Sequence, residues 1–280
     1  MFNLLTNGGK MARPIWSGAI SFGLINIPIK LYVAIHPKDI RFHQLHSKDA
    51  GRIQYKKFCA NENIEVPQDE IVKGFEVSSG SYITIDPEEL SQLDPKASSS
   101  IQIEDFVYLD QVDPIFFDST YYVLPAQNAE KAYRLLSLSM QETKRVAIAK
   151  MVMRTKEYLC TLRPLQDALV LETMNFSDEI VDIEAIFDES KQNLREPDVT
   201  PKEIAMAQQL IDSLTTEFDA SKYHDEYRLK VKELIDAKTQ GKQIQKVKQQ
   251  EPEPIGDLIA ALEASIASSK ANSKINKKAS

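Results

Sequence analysis

Met11-Ala-Arg-Pro-Ile-Trp-Ser-Gly-Ala-Ile-Ser-Phe-Gly-Leu-Ile-Asn-Ile-Pro-Ile-Lys-Leu-Tyr32 is the stretch on which the fold turns. Residues 15–33 are dense in Ile, Phe, Leu and Tyr, and two glycines and Pro28 punctuate them. β-Branched and aromatic residues between turn formers read as strand. The signature returns in Tyr82-Ile-Thr-Ile-Asp86, Ile101-Gln-Ile-Glu104 and Tyr121-Tyr-Val-Leu124. Residues 146–153, 158–162 and 168–173 predict three further strands joined by short polar links. Many short strands without regular alternation of strand and helix predict a barrel or sandwich.

Helices interrupt and then follow this pattern. Asp86-Pro-Glu-Glu89 puts a capping aspartate, a first-turn proline and a third-position glutamate in order. Residues 129–140 carry Ala132, Leu135, Leu136 and Met140 on one helical stripe. Beyond Phe176, Thr200-Pro-Lys-Glu203 is a capping box, with Ile204, Ala207, Ile211, Leu214 and Phe218 on one face after it. Another helix is expected from about Lys222, with Tyr223, Tyr227, Val231, Leu234 and Ile235 on its apolar side and Gly241 as its stop. From residue 242 the chain is rich in Lys, Gln, Ser and Ala, a composition that predicts disorder. Within it, residues 255–267 place Ile255, Leu258, Ile259, Leu262 and Ile266 at helical spacing. The expected division is a short extension (1–10, with Met11 as an alternative start), a strand-rich core (11–176), a helical region (177–241) and a tail (242–280).

The chain has 280 residues, 42% hydrophobic and 27% charged, as an ordinary globular protein does. No apolar run reaches the ~18 residues of a membrane span. Residues 1–10 are too weakly apolar for a secretory signal. Cys59 and Cys160 are the only cysteines, so a CxxC zinc or dithiol motif is ruled out by count. Reduced thiols packed in a cytoplasmic protein are the expected state.

Net charge is −7, yet it is unevenly spread. Residues 11–176 hold 18 Lys and Arg against 21 acids, and residues 177–221 hold 3 against 12. The stretch 241–280 reverses this, with 7 Lys against 4 acids. A basic surface outside the acidic region is therefore compatible with the total.

The opening segment resembles the start of bacterial Ku proteins. The likeness continues through Phe42-His-Gln-Leu-His46, Gly51-Arg-Ile-Gln-Tyr-Lys-Lys57, Ile71-Val-Lys-Gly-Phe75 and Asp113-Pro-Ile-Phe-Phe117. It resumes in Thr143-Lys-Arg-Val-Ala-Ile-Ala149, Met153-Arg-Thr-Lys-Glu-Tyr158, Tyr223-His-Asp-Glu-Tyr227 and Leu234-Ile-Asp-Ala-Lys238. The blocks keep the family's order and cover residues 11–241. The resemblance implies a mainly β fold with helices, a β-barrel with an inserted strap, and a ring made by two subunits. It also implies capture of double-stranded DNA ends near the nucleoid, recruitment of a multifunctional ATP-dependent DNA ligase for non-homologous end joining, and no catalytic centre or cofactor.

A DNA clamp needs cations that reach phosphates, which position a duplex without reading its sequence. The candidates are Lys30, Arg52, Lys56, Lys57, Lys73, Lys144, Arg145, Lys150 and Arg154. Lys144, Lys150 and Arg154 share parity along one strand run, which sends them to one face. For each residue singly, a solvated surface cation is an equal reading, and the resemblance favours the set. Arg13 either contacts DNA or pins the chain start, and Trp16 reads as core or interface.

Other chemistries lack a constellation. His43 and His46 have metal-compatible spacing but no third ligand, so packing or surface roles are expected. No GxxxxGK[ST], GxGxxG or GxSxG motif is present. Glu88 and Glu89 belong to a helix start, and Glu104 and Asp105 are expected on opposite faces of a strand. A sequence-specific regulator needs a recognition helix, and the one near Lys222 offers only Arg228 as a base-reading type before Gln240. The helical region is read as an arm on the partner subunit, a docking surface or a filler against the barrel; docking of the ligase is favoured, since the acid of residues 177–221 opposes contact with DNA. In the tail, the lysines are read as loose DNA contacts and residues 255–267 as a segment that folds on a partner, against the plain alternative of a solubilising tail.

Overall fold

The computed structural model describes residues 13–86, 88–89, 99–153, 156–190, 199–241, 259 and 262–266. Two compact units follow one another, Met1–Asp182 and Ile183–Ser280.

The quoted opening stretch forms an antiparallel hairpin of β1 (Trp16–Phe22) and β2 (Ile25–Val33), with Phe22 paired to Ile25. Gly23 supplies the positive φ (57°) that a two-residue hairpin link requires. Alternation along β2 buries Ile27, Ile29 and Leu31 and exposes Asn26, Pro28 and Lys30. The Pro28 carbonyl still accepts from the Ala126 amide at 2.9 Å on the β6 side, and its missing N–H leaves no acceptor there unpaired, because the Ala126 carbonyl takes the Ala129 amide at 3.1 Å.

After β2 comes a strap, residues 34–99, whose only sheet is the hairpin of β3 (Lys73–Ser78) and β4 (Ser81–Ile85) among the described residues. The remaining strands are β5 (Ser100–Tyr108), β6 (Phe117–Pro125), β7 (Arg145–Met153), β8 (Lys156–Leu165) and β9 (Ala168–Met174). They close a barrel in the order β1-β2-β6-β9-β8-β7-β5, the circle being completed by parallel pairing of β5 with β1. The expected barrel is thus the observed one. Gly18 permits the closure: a Cβ there would collide with the Ser99 carbonyl oxygen, which accepts from the Ala19 amide at 2.8 Å.

Inward-facing Ile20, Ile29, Leu31, Ile101, Val123, Ala149, Met151, Leu162 and Leu171 fill the barrel. Trp16 packs against this core, as one of its expected roles required. Cys160 is buried in it, donates its thiol to the Ala149 carbonyl at 3.3 Å, and has its pKa pushed up to about 12 by burial.

Helix α1 (Glu130–Thr143) closes the end where β1, β5, β6 and β8 finish. Its Tyr133, Leu136 and Met140 join the core. The buried Tyr133 hydroxyl donates to the Val123 carbonyl at 2.6 Å and accepts from the Leu169 amide at 2.5 Å, which fixes the helix to β6 and β9. Burial raises the Tyr133 pKa above its ordinary value. Leu135, expected on the same apolar stripe, is instead 65% exposed. The strap leaves from the opposite end of the barrel, between the finish of β2 and the start of β5.

Two expectations about direction are corrected. A bulge between Ile103 and Asp105 breaks the alternation of β5, so Glu104 and Asp105 are both exposed. Lys144 is no strand residue: it is the left-handed cap of α1 (φ 55°), so the parity that joined it to Lys150 does not apply.

The second unit contains α2 (Ile183–Ser190), α3 (Pro201–Leu214) and α4 (Glu226–Thr239). The capping box at α3 is present: the Thr200 amide donates to Glu203 Oε2 at 2.7 Å, and the Glu203 amide to Thr200 Oγ1 at 3.3 Å. The Thr200 hydroxyl, which donates to Glu203 Oε2 at 2.6 Å, and after it the Thr200 amide hold the Glu203 carboxyl below its usual range. Met206, Ala207 and Leu210 are half-buried, whereas Ile204, Ile211, Leu214 and Phe218 of the expected stripe are exposed. Helix α4 starts at Glu226, later than Lys222, because Asp225 caps it by accepting from the Arg228 amide at 2.8 Å. Most of the tail, including much of 255–267, lies outside the described residues.

Candidate nucleic-acid interface

Register fixes which barrel cations point outward. Lys30 stands on β2 between Ser17 of β1 and Leu124 of β6, and Lys150 stands on β7 between Gln102 of β5 and Leu159 of β8. Both are exposed. Strands β1 and β5 separate them, and the paired outward positions there carry no charge and are mostly small: Ser17, Ala19 and Ser21 on β1, Ser100 and Gln102 on β5. Short side chains between two lysines allow a phosphate backbone to approach closely. Glu104 and Asp105, at the β5 bulge, and Glu157 of β8, which pairs with Val152 two residues from Lys150, are the acids nearest this arc in register.

The other arc is electrically closed. Arg163 of β8 meets Glu172 of β9 through Nη2–Oε1 at 2.8 Å and Nε–Oε2 at 3.0 Å. Bonding to Glu172 raises the Arg163 pKa, outweighing its partial burial.

At the α1 end, Lys144 is exposed, while Arg145 is held by Tyr108: its Nη2 donates to the Tyr108 hydroxyl at 3.2 Å and its guanidinium carbon lies 4.4 Å from the ring centre. Arg154 lies outside the described residues.

The strap holds the remaining candidates. Lys56 pairs with Glu65 at 2.7 Å, and Lys57 Nζ donates to Gln68 Oε1 at 2.6 Å. Lys73 begins β3 and is exposed. Arg52 Nη2 lies 3.0 Å from His43 Nδ1 and 3.2 Å from its Nε2. A nitrogen nearly equidistant from both ring nitrogens sits over the ring face, so His43 supports Arg52. His46 Nδ1 is 3.0 Å from Asp49 Oδ1, a bond that, after the Gly51 amide, lowers the Asp49 pKa. Among the described residues no three His, Cys, Asp or Glu stand together as metal ligands.

Lys38, Arg41 and Lys48 escape a residue-by-residue reading. Together with Arg52, Lys56 and Lys57 they give residues 36–58 six cations against Asp39 and Asp49. A local charge count finds this segment, whereas block averages that run to Phe176 dilute it. The same strap exposes Phe42, Tyr55, Phe58, Phe75 and Tyr82.

Family comparison agrees with this architecture. The family model of the Ku70/Ku80 beta-barrel domain matches residues 21–206. The chain belongs to the Ku family. It is 46% identical to the non-homologous end joining protein Ku of Anaeromyxobacter sp. (strain K), over 92% of this chain and 86% of that relative. Identity is 45% to the protein of that name from Heliobacterium modesticaldum, covering 91% of this chain and 92% of the relative. The corresponding Solibacter usitatus protein is 39% identical, over 91% and 94%. The Ku match crosses the division at Asp182 and takes in α2 and the start of α3.

No helix among the described residues is long and apolar enough to cross a membrane.

Proposed function

We propose that this Ku chain binds double-stranded DNA ends without regard to sequence, as a ring-shaped homodimer, in non-homologous end joining. It acts as a scaffold rather than an enzyme, and it recruits an ATP-dependent DNA ligase. The observation that carries the reading is the strap: it combines a cationic first half with large apolar side chains that its own chain leaves uncovered.

A second copy supplies the missing cover. Exposed apolar clusters of this extent mark an interface, and two-fold pairing of identical straps is the simplest closed arrangement. Lysines on an arc of short side chains then meet phosphates, and counterion release supplies affinity independent of sequence. The acidic residues 177–221 repel the duplex and suit a docking role toward the ligase. The lysines of 241–280 add loose contacts to DNA, and residues 255–267 fold on the ligase.

The test is a mobility-shift comparison of one sequence as a linear duplex and as a closed circle. Threading predicts accumulation on the linear form alone and little dependence on sequence. Equal affinity for the circle overturns the ring. Sedimentation of the free protein as a monomer at every concentration overturns the dimer.

A further inference from the structure

We propose that the α1 end of the barrel is a docking site for an acidic amphipathic segment of a partner protein, which inserts one apolar side chain and sets a carboxylate on Arg145. A cavity of about 500 Å³ opens there, lined by Phe22, Ile25, Phe106, Leu135, Met140 and Arg145 among others. Cavities of this size with mostly apolar walls and few polar groups are ligand sites, and mouths of barrels are one of their usual places.

The rim is apolar as well. Leu24, at the tip of the β1–β2 link, is fully exposed, and Leu135 is 65% exposed although it stands on the apolar stripe of α1. Leu138 extends the exposed surface along the helix. A single exposed leucine carries no information, whereas Leu135 in the lining and Leu24 between the lining residues Phe22 and Ile25 together extend an apolar cavity into an exposed apolar face. The surface continues past the cavity mouth, which favours a length of polypeptide over a small apolar molecule.

Charge selects the occupant. Among the described residues Arg145 is the one charged group lining the cavity, and no carboxylate lines it. Tyr108 fixes the guanidinium through a bond at 3.2 Å and by ring contact, using one of its five N–H groups. The others are left for a carboxylate in a pre-set orientation. Position fits a partner other than DNA, since the strap leaves from the opposite end of the barrel and a segment bound here leaves it free. The site does not depend on the DNA reading, and the two fail by different measurements.

The experiment selects a phage-displayed library of random peptides of about 16 residues on the full-length chain, in parallel with its Leu135→Glu variant. Leu135 is exposed, so the variant is expected to fold and to shift linear duplex normally. Wild type should enrich peptides with an aromatic residue or Leu beside Glu or Asp. Labelled copies of these should bind saturably in fluorescence anisotropy, with affinity about tenfold lower for Leu135→Glu and for Arg145→Gln. Enrichment of no sequence, or of the same sequences on both proteins, overturns the proposal. So does conversion of a dimer to a monomer by Leu135→Glu, which makes this face a contact between copies.

Discussion

Arg163 and Glu172 lie diagonally across the β8–β9 pair and share two parallel bonds, 2.8 and 3.0 Å long, on a wall where both side chains are mostly covered. Exposed ion pairs contribute little, but a forked pair with partial burial holds its geometry and sheds part of its water. Removing one partner strands the other. In a double-mutant cycle of Arg163→Met and Glu172→Gln, urea unfolding is expected to give a coupling of about 1–3 kcal/mol. Additivity within about 0.5 kcal/mol means that the bonds contribute nothing net.

Gly18→Ala tests the seam of the barrel. The new methyl runs into a backbone oxygen of Ser99 and the Trp16 ring, and the oxygen cannot move without giving up the Ala19 bond. Destabilisation of about 1–3 kcal/mol is expected. Gly74→Ala is the control, since its Cβ meets nothing closer than 3.7 Å. Similar unfolding midpoints for the two variants rule out a tight seam.

The barrel strands are legible in the sequence from period-two patterning, and Ile27, Ile29 and Leu31 announce the buried face of β2 directly. Gly18 carries no such signal, because its constraint comes from Ser99, about eighty residues away. Bulges are hidden for the same reason: nothing local distinguishes Glu104 from a regular strand residue. Parity along the strand run places Lys150 correctly and fails at Lys144, whose backbone belongs to a helix cap. Among the cations, composition identifies the strap as basic only when the window shrinks to residues 36–58. Which of them are engaged, as Lys56 is with Glu65, depends on side chains brought together by the fold. On α3 the apolar spacing is plain in the sequence, yet the exposed face is the stripe itself, because a helix with two apolar faces does not state which one its own chain covers.

Cys160 sets an alkaline limit on stability. Its thiol holds its proton to about pH 12 in the folded protein, against an ordinary value near 9. Between those values the unfolded chain has given up a proton that the folded chain keeps, so stability falls as pH rises. The full contribution is present below pH 9 and disappears as pH climbs toward 12. Wild type should lose about 1.4 kcal/mol per pH unit more than Cys160→Ala between roughly pH 9.5 and 11. Parallel pH profiles of the two proteins contradict the assignment. A disulfide reagent should meanwhile titrate Cys59 in the native protein and reach Cys160 only on unfolding.

Lys30 and Lys150 separate a phosphate track from ordinary surface charge. Each is exposed and, among the described residues, has no carboxylate partner, so its removal breaks no ion pair of the fold. Substitution by Gln should leave thermal unfolding unchanged within about 0.5 kcal/mol. If phosphates run along the arc between β2 and β7, each variant weakens binding to every linear duplex by the same factor. The slope of log affinity against log salt falls by about 0.9 for each phosphate left unneutralised, and by roughly twice that in the double variant. Arg163→Gln provides the contrast, since its charge is already committed to Glu172: stability falls while the salt slope holds. A slope unchanged in the Lys30 and Lys150 double variant removes this arc from the DNA path and leaves the strap cations to carry the duplex alone.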